Sequence, residues 1–148
     1  MGLPAPLFVV ASAVSAPQHV VPSGLENATD DHLIGVLRSF GGTPPELFEE
    51  EGLLPLLVAR LRADYCCLAS YATRRRVGPL LDVPLFIAGG QGDPIVLREH
   101  LYAWREQTAS QFTCELFEGG HFFVNEHSSG FAAWLSGVID EQSSSSRM

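Results

Sequence analysis

The chain has 148 residues, of which 46% are hydrophobic, enough apolar surface for one domain with a buried core. Its formal net charge is −8 and its nine basic residues form no long stripe, which argues against a surface that neutralises nucleic-acid phosphates. Three cysteines, two of them adjacent, make a poor disulfide framework, because the count is odd and neighbours rarely pair, so we expect a reducing compartment, the cytoplasm.

The apolar run at residues 7–16 has two interpretations. Its length and its small-residue pattern resemble a signal peptide cleaved after Ala16, which would make this a small secreted protein. No lysine or arginine precedes the run, however, and residues 7–11 equally fit a buried parallel strand, the interpretation that we favour. No later segment approaches the roughly 20 apolar residues that span a bilayer, so we expect no membrane partner.

Residues 29–71 are predicted to form an all-helical block of about three helices. The first follows the cap candidate Thr29 and stops at Gly41-Gly42, and a short second helix begins at the capping-box pattern Thr43-Pro-Pro-Glu46. The third carries an apolar stripe that suits either helix packing or the wall of an apolar binding site. The stripe consists of Leu54, Leu57, Val58, Leu61, Tyr65 and Leu68. The only basic run, Arg74-Arg75-Arg76, follows and is interpreted as a solvated loop.

From Val83 the pattern becomes that of a parallel sheet. Residues 83–88 are a short, uncharged apolar run that ends in Gly89-Gly90, as a buried parallel strand does, and residues 112–117 alternate as a strand. Residues 143–148 are expected to be a frayed, disordered tail. Helical faces are predicted at Leu97, Leu101 and Trp104, and at Phe131, Trp134, Leu135, Val138 and Ile139. The order strand, loop, helix, strand, loop, helix predicts a parallel sheet with functional loops at the carboxyl ends of its strands.

Two of these loops present groups suited to acid–base chemistry. Asp93 follows the strand at 83–88, and His121 follows the strand at 112–117, so both are expected at the same edge of the sheet. A carboxylate that accepts a proton from imidazole fixes its tautomer and stabilises the imidazolium formed during catalysis. The residues alone leave His121 as a catalytic base, a metal ligand or a loop residue packed between phenylalanines, with Asp93 as a helix cap. Because neither the spacing of His127 nor a third ligand argues for a metal, we expect none.

Six segments, taken together and in order, carry a family resemblance. They are PLFVVAS, SFGGTPPELFE, LLPLLVARLRADY, VPLFIAGGQGDP, LYAWREQT and FTCELFEGGHFFV. Over roughly residues 6–135 the chain resembles the C-terminal part of a type II thioesterase, a stand-alone α/β-hydrolase associated with polyketide, non-ribosomal peptide and fatty-acid synthases. The resemblance implies an α/β fold: a partial α/β-hydrolase domain at 1–142, with about three parallel strands and flanking helices, and an inserted helical lid at about 29–71.

The resemblance also implies a function and its residues. It implies hydrolysis of acyl or aminoacyl thioesters from the phosphopantetheine arm of a carrier protein, without a cofactor, with Asp93 as the orienting acid and His121 as the base. The chain lacks the family's Gly-His-Ser-x-Gly elbow and contains no Gly-x-Ser-x-Gly, so we expect it to be inactive by itself. Ser12, Ser15 and the three cysteines lie in no strand-to-helix elbow and are predicted to be structural.

Two main hypotheses remain from the sequence. The first is a thioesterase fragment, shortened by a gene-model error, a split gene or genuine loss. The alternative is a non-catalytic module that binds an acyl chain or a carrier protein. In this family's sheet the strand at 7–11 would pair with the nucleophile strand, so its uncharged edge is expected to be exposed and to promote self-association.

Overall fold

The computed structural model describes residues 5–50, 52–74 and 80–145, and the chain divides into two units. One unit comprises residues 1–19 and 78–148, and the other comprises residues 20–77. Of the basic run predicted as a solvated loop, Arg74 is instead the last residue of a helix, and Arg75 and Arg76 lie outside the described residues, as do residues 146–148 of the predicted tail. In the described ranges, no helix is both long and apolar enough to cross a membrane.

The first unit is built on a parallel sheet whose three described strands lie in the order β1, β2, β3. The strands are β1 (Val9–Ser12), β2 (Leu85–Gly90) and β3 (Phe112–Phe117). Every residue of the central strand is buried, which explains why its sequence is uncharged and apolar throughout. The predicted parallel sheet is confirmed, although β1 begins two residues later than the strand predicted at residues 7–11.

Helices cover this sheet and supply its core. They are α3 (Arg98–Tyr102), which continues as a 3-10 helix at Ala103–Gln107, then α4 (Phe123–Glu126) and α5 (Ser128–Ser145). Leu101 of α3 packs with Ile87 of β2 and with Val96 to form one buried apolar cluster. A second cluster is aromatic: the ring of Phe123 stacks on that of Phe117, with centroids 5.2 Å apart, and both rings contact Phe131 of α5.

The end of α5 corrects the predicted tail. The helix continues to Ser145, so residues 143–145 are helical and only residues 146–148 are left to the tail that the sequence suggested from residue 143. Gln142 is buried, and the Ser144 hydroxyl donates to the carbonyl oxygen of Asp140 at 2.8 Å. Packing of the last turns therefore keeps this serine-rich segment in a helix, although serine has little helix propensity of its own.

The second unit is helical, as predicted. It contains α1 (Asp30–Phe40) and α2 (Leu54–Arg74), with 3-10 helices at Leu25–Asn27 and Pro45–Phe48. Thr29 caps α1, since its hydroxyl oxygen accepts from the His32 N–H at 3.3 Å, and Gly41 ends α1 in the left-handed conformation with φ 71°.

One local prediction for this unit is wrong. The capping box at Thr43 does not form, because Pro44 is the cap residue of the 3-10 helix, no side chain caps that helix, and Thr43 lies one position before Pro44. The apolar stripe of α2 is not buried along its whole length: Val58 is buried, but Leu68 is 45% exposed. Helical periodicity defines which side chains share a face, and only the neighbouring elements determine how much of that face they cover.

Arg62 ties α2 to the segment before α1. Its Nη1 donates to the carbonyl oxygens of Ala28 at 2.6 Å and Glu26 at 3.3 Å, and its Nη2 pairs with the Asp30 carboxylate.

A lysine at position 62 could not replace these contacts, because its ammonium group is a single point and cannot span the acceptors. We expect Arg62→Lys to lower the free energy of unfolding by about 1–2 kcal/mol, and Arg60→Lys, at an exposed position, by less than about 0.5 kcal/mol. Urea unfolding followed by circular dichroism measures the loss of stability in both variants. Equal losses would contradict a stabilising role for the Arg62 hydrogen bonds.

Candidate active site

The loops that follow β2 and β3 lie side by side because the parallel hydrogen bonding continues past the strands. The Gln91 N–H donates to the carbonyl oxygen of Phe117 at 2.8 Å, and the Gly92 N–H donates to that of Gly119 at 2.9 Å. The register of the sheet is thereby carried into both loops. This places the two predicted site residues at one edge of the sheet, as their positions after neighbouring parallel strands indicated.

The side chain of Asp93 is fully buried, and its carboxylate is divided between two tasks. Its Oδ1 accepts from the backbone N–H groups of Ile95 at 2.8 Å and Val96 at 3.1 Å, and its Oδ2 accepts from His121 Nδ1 at 2.9 Å. The first task fixes the turn ahead of α3, so the alternative that Asp93 caps the next helix is wrong: the cap residue of α3 is Leu97, and no side chain caps that helix. The second task orients the imidazole.

The His121 side chain is 22% exposed, so solvent and small solutes reach part of the ring. Because an ionised carboxylate only accepts hydrogen bonds, Nδ1 carries the hydrogen, and in the neutral ring Nε2 is the nitrogen that takes up a proton. The ring also meets Phe122 edge to face, with centroids 5.2 Å apart and planes at 86°. Phe123, by contrast, turns into the core and stacks on Phe117, so the second phenylalanine has a packing role.

The other candidates do not join this pair into a larger constellation. In the described ranges, no group of three or more His, Cys, Asp or Glu side chains could hold a metal ion. Ser15 instead has its Oγ 3.3 Å from Nδ1 of His100, whose ring stacks on that of His19 at 4.2 Å. Sequence reasoning missed this contact, because Ser15 and His100 belong to no common motif and meet only through the packing of the loop after β1 against α3.

Cys114 of β3 packs against the core, and this burial, with the negative charge of Glu115, raises the pKa of its thiol, while Arg98 opposes the rise. Cys66 and Cys67 are exposed. Since the thiolate is the reactive form, we expect a disulfide reagent such as Ellman's reagent to label two thiols rapidly and the third slowly at neutral pH. Cys114→Ala is expected to abolish only the slow phase. Rapid labelling of all three thiols in the folded chain would contradict this assignment.

Fold and site together define a class of protein. Parallel strands flanked by helices, with a carboxylate after one strand and a histidine after the next, are typical of the second half of an α/β-hydrolase. The family model of the thioesterase domain matches residues 3–138. The chain therefore belongs to the thioesterase domain family.

Curated proteins similar to this chain include a phenyloxazoline synthase, a gramicidin S biosynthesis protein and a thioesterase. Phenyloxazoline synthase MbtB of Mycobacterium tuberculosis is 34% identical over 129 residues, which cover 87% of the chain and 9% of that protein. Gramicidin S biosynthesis protein GrsT of Aneurinibacillus migulanus is 32% identical over 124 residues, 82% of the chain and 47% of GrsT. Thioesterase TesA of Mycobacterium marinum is 32% identical over 126 residues, which cover 82% of the chain and 47% of TesA.

Solved structures of type II thioesterases are also similar to this chain. The type II thioesterase BorB from the borrelidin biosynthetic cluster superposes with a TM-score of 0.75 at 31% identity, covering 92% of the chain and 54% of BorB. YbtT, a type II thioesterase of the yersiniabactin pathway, gives 0.79 at 27% identity, covering 93% and 56%. The resemblance to type II thioesterases and the α/β-hydrolase fold class are confirmed. The chain spans about half the length of GrsT, TesA, BorB and YbtT.

Proposed function

We propose that this chain supplies the acid and the base of a thioesterase that releases acyl or aminoacyl groups from the phosphopantetheine arm of carrier proteins. The observation that carries the proposal is the 2.9 Å hydrogen bond between Asp93 Oδ2 and His121 Nδ1 at the carboxyl edge of a parallel sheet. The substrate class is supported by relatives described as type II thioesterases of biosynthetic clusters and as a gramicidin S biosynthesis protein.

The geometry accounts for the proton movements of such a reaction. His121 Nε2 takes the proton of a serine hydroxyl as its oxygen attacks the thioester carbonyl, and returns it to the pantetheine sulfur as the C–S bond breaks. Water then attacks the acyl-serine through the same base, which releases the acid and restores the hydroxyl. In both steps Asp93 stabilises the imidazolium and holds the ring in one tautomer.

The nucleophile in this proposal comes from a polypeptide segment that the 148 residues do not include, because they contain no Gly-x-Ser-x-Gly motif. The match to only 47% of GrsT and 54% of BorB supports such a segment. The same segment would hold the oxyanion donors, each commonly worth about 100- to 1,000-fold in rate. The acid–base pair described here is therefore one half of the catalytic machinery.

We further propose that the helical unit, residues 20–77, which contains the predicted lid at about residues 29–71, is the lid over the acyl chain. Its insertion between β1 and β2 in the chain supports this role, because such an insertion leaves the sheet register intact while adding a cover. A carrier protein in the cytoplasm is the proposed partner. Within the described residues β1 pairs only with β2, and self-association through its other edge stays a prediction.

Thioester hydrolysis by the protein expressed from its complete gene tests the proposal. The substrates are acyl carrier protein and acyl N-acetylcysteamine, a small mimic of the pantetheine arm. We expect His121→Gln to lower kcat/KM by at least about 10⁴-fold, and the matched control His127→Gln, six positions along the chain, to stay within about twofold of wild type. Equal activity of wild type and His121→Gln would refute the catalytic role.

The absence of a Gly-x-Ser-x-Gly motif keeps one other function open, a module that binds acyl-pantetheine or its carrier protein without hydrolysis. This module predicts calorimetric binding of a non-hydrolysable acyl-pantetheine to the 148-residue chain, with the same affinity for His121→Gln. It also predicts that no thioester is hydrolysed by the protein from the complete gene. Turnover that depends on His121 would exclude the module.

A further inference from the structure

Four glycines lie in the segments that lead to Asp93 and His121, and each has different neighbouring atoms. Gly89 and Gly90 end β2, while Gly119 and Gly120 immediately precede His121. The sequence alone does not show which of these four positions requires the absence of a side chain. The structure separates them by what a methyl group added at each Cα would contact.

Gly90 faces the backbone of the histidine loop. A Cβ at Gly90 would lie 2.8 Å from the carbonyl oxygen of Gly119 and closer still to that of Gly120. Neither oxygen can move freely, because the first accepts from the Gly92 N–H at 2.9 Å and the second from the Phe123 N–H at 3.2 Å. A methyl group at Gly90 must therefore push the peptide ahead of His121 away from β2.

The neighbouring glycines lack this contact. A Cβ at Gly89 would overlap the end of the Leu101 side chain, which is packed in the buried core, and would have no atom of the histidine loop among its nearest neighbours. A Cβ at Gly120 would have no heavy atom within 4 Å, and the φ of Gly120 is not in the left-handed region. Gly119 is a different case, since its φ of 105° disfavours any side chain whatever the space around it.

We infer that Gly90 is a positioning residue for His121. The missing side chain at Gly90 lets the loop of residues 119–120 approach β2 closely enough for Nδ1 of His121 to reach Asp93 Oδ2. The catalytic meaning of this approach rests on the proposed function, whereas the approach itself concerns only the hydrogen bond. Gly120, although it directly precedes His121 in sequence, has no such role, because a Cβ there would have no heavy atom within 4 Å.

The tautomer of His121, measured by nitrogen-15 NMR on the 148-residue chain above the titration range of imidazole, tests the inference. In wild type and in Gly120→Ala we expect the proton on Nδ1, as the bond to Asp93 requires. In Gly90→Ala we expect most of the neutral ring to carry it on Nε2, because displacement of the loop breaks that bond. Gly89→Ala adds the same methyl group one residue earlier and is expected to keep the wild-type tautomer.

A milder variant covers the case in which Gly90→Ala does not fold. A Cβ at Gly92 would meet the Gly119 carbonyl oxygen at 3.4 Å, at the short limit of ordinary van der Waals contact with the same loop. Gly92→Ala is expected to fold and to show a larger Nε2–H fraction than wild type. Wild-type tautomers in a folded Gly90→Ala, or in Gly92→Ala if Gly90→Ala is unfolded, would overturn the inference.

The two proposals fail separately. The NMR measurement of the His121 tautomer needs no turnover, so it tests the role of Gly90 independently of whether thioesters are hydrolysed. In an active preparation we expect Gly90→Ala to lower kcat by about 100-fold with little change in KM, the size of effect that a displacement of about 1 Å produces. Loss of activity in His121→Gln but not in a folded Gly90→Ala would contradict the positioning role and leave the proposed function intact.

Discussion

Asp93→Asn is expected to lower thioester hydrolysis by about 10⁴-fold and to leave the fold intact. The amide oxygen of asparagine can still accept from the N–H groups of Ile95 and Val96, as Oδ1 does now. The amide nitrogen then faces His121 Nδ1 and can only donate. The imidazole must place its proton on Nε2, so the nitrogen needed as a base is already protonated.

Kinetics with acyl N-acetylcysteamine, together with urea unfolding of the same preparations, measures this effect. Asp82→Asn is the matched control, because Asp82 is exposed in the turn before β2, and it is expected to keep wild-type activity and stability. A loss of activity in Asp93→Asn that is accompanied by unfolding would assign Asp93 to the turn alone. Full activity in a folded Asp93→Asn would contradict its orienting role.

Phe123→Ala is expected to lower the free energy of unfolding by about 3–5 kcal/mol. Phe123 is fully buried, stacks on Phe117 and meets Phe131 at a ring-centroid distance of 5.8 Å. Truncation to alanine removes these ring contacts and leaves a cavity that the surrounding helix and strand cannot fill. Since a domain is stable by only about 5–15 kcal/mol, this one change removes a large share of the total.

Denaturant unfolding monitored by circular dichroism measures the loss. Tyr102→Ala truncates another aromatic side chain, but Tyr102 is 47% exposed, so it is expected to cost less than about 1 kcal/mol. Similar costs for the two variants would mean that the aromatic cluster does not stabilise this end of the sheet. Because Phe123 begins α4 two residues after His121, the variant is also expected to loosen the histidine loop.

The sequence by itself determined the parts that follow from local pattern and chain order. A short uncharged apolar run followed by glycines is typical of a strand covered on both faces, so residues 83–88 predicted the buried β2, which begins two residues later, at Leu85. Alternation predicted β3 at residues 112–117 without error. Parallel strands place their carboxyl ends at one edge, so the proximity of Asp93 and His121 followed from topology, although their catalytic roles remain proposals.

Tertiary structure alone decided the features that depend on backbones meeting across the fold. The separate tasks of the two Asp93 oxygens, the close approach of the histidine loop to Gly90, and the contact of Ser15 with His100 join segments that no local pattern relates. The same holds for the last turn of α5, where packing outweighs the weak helix propensity of serine. Sequence periodicity specifies which residues share a face, whereas distances of a few tenths of an ångström between backbones emerge only when all the faces are packed together.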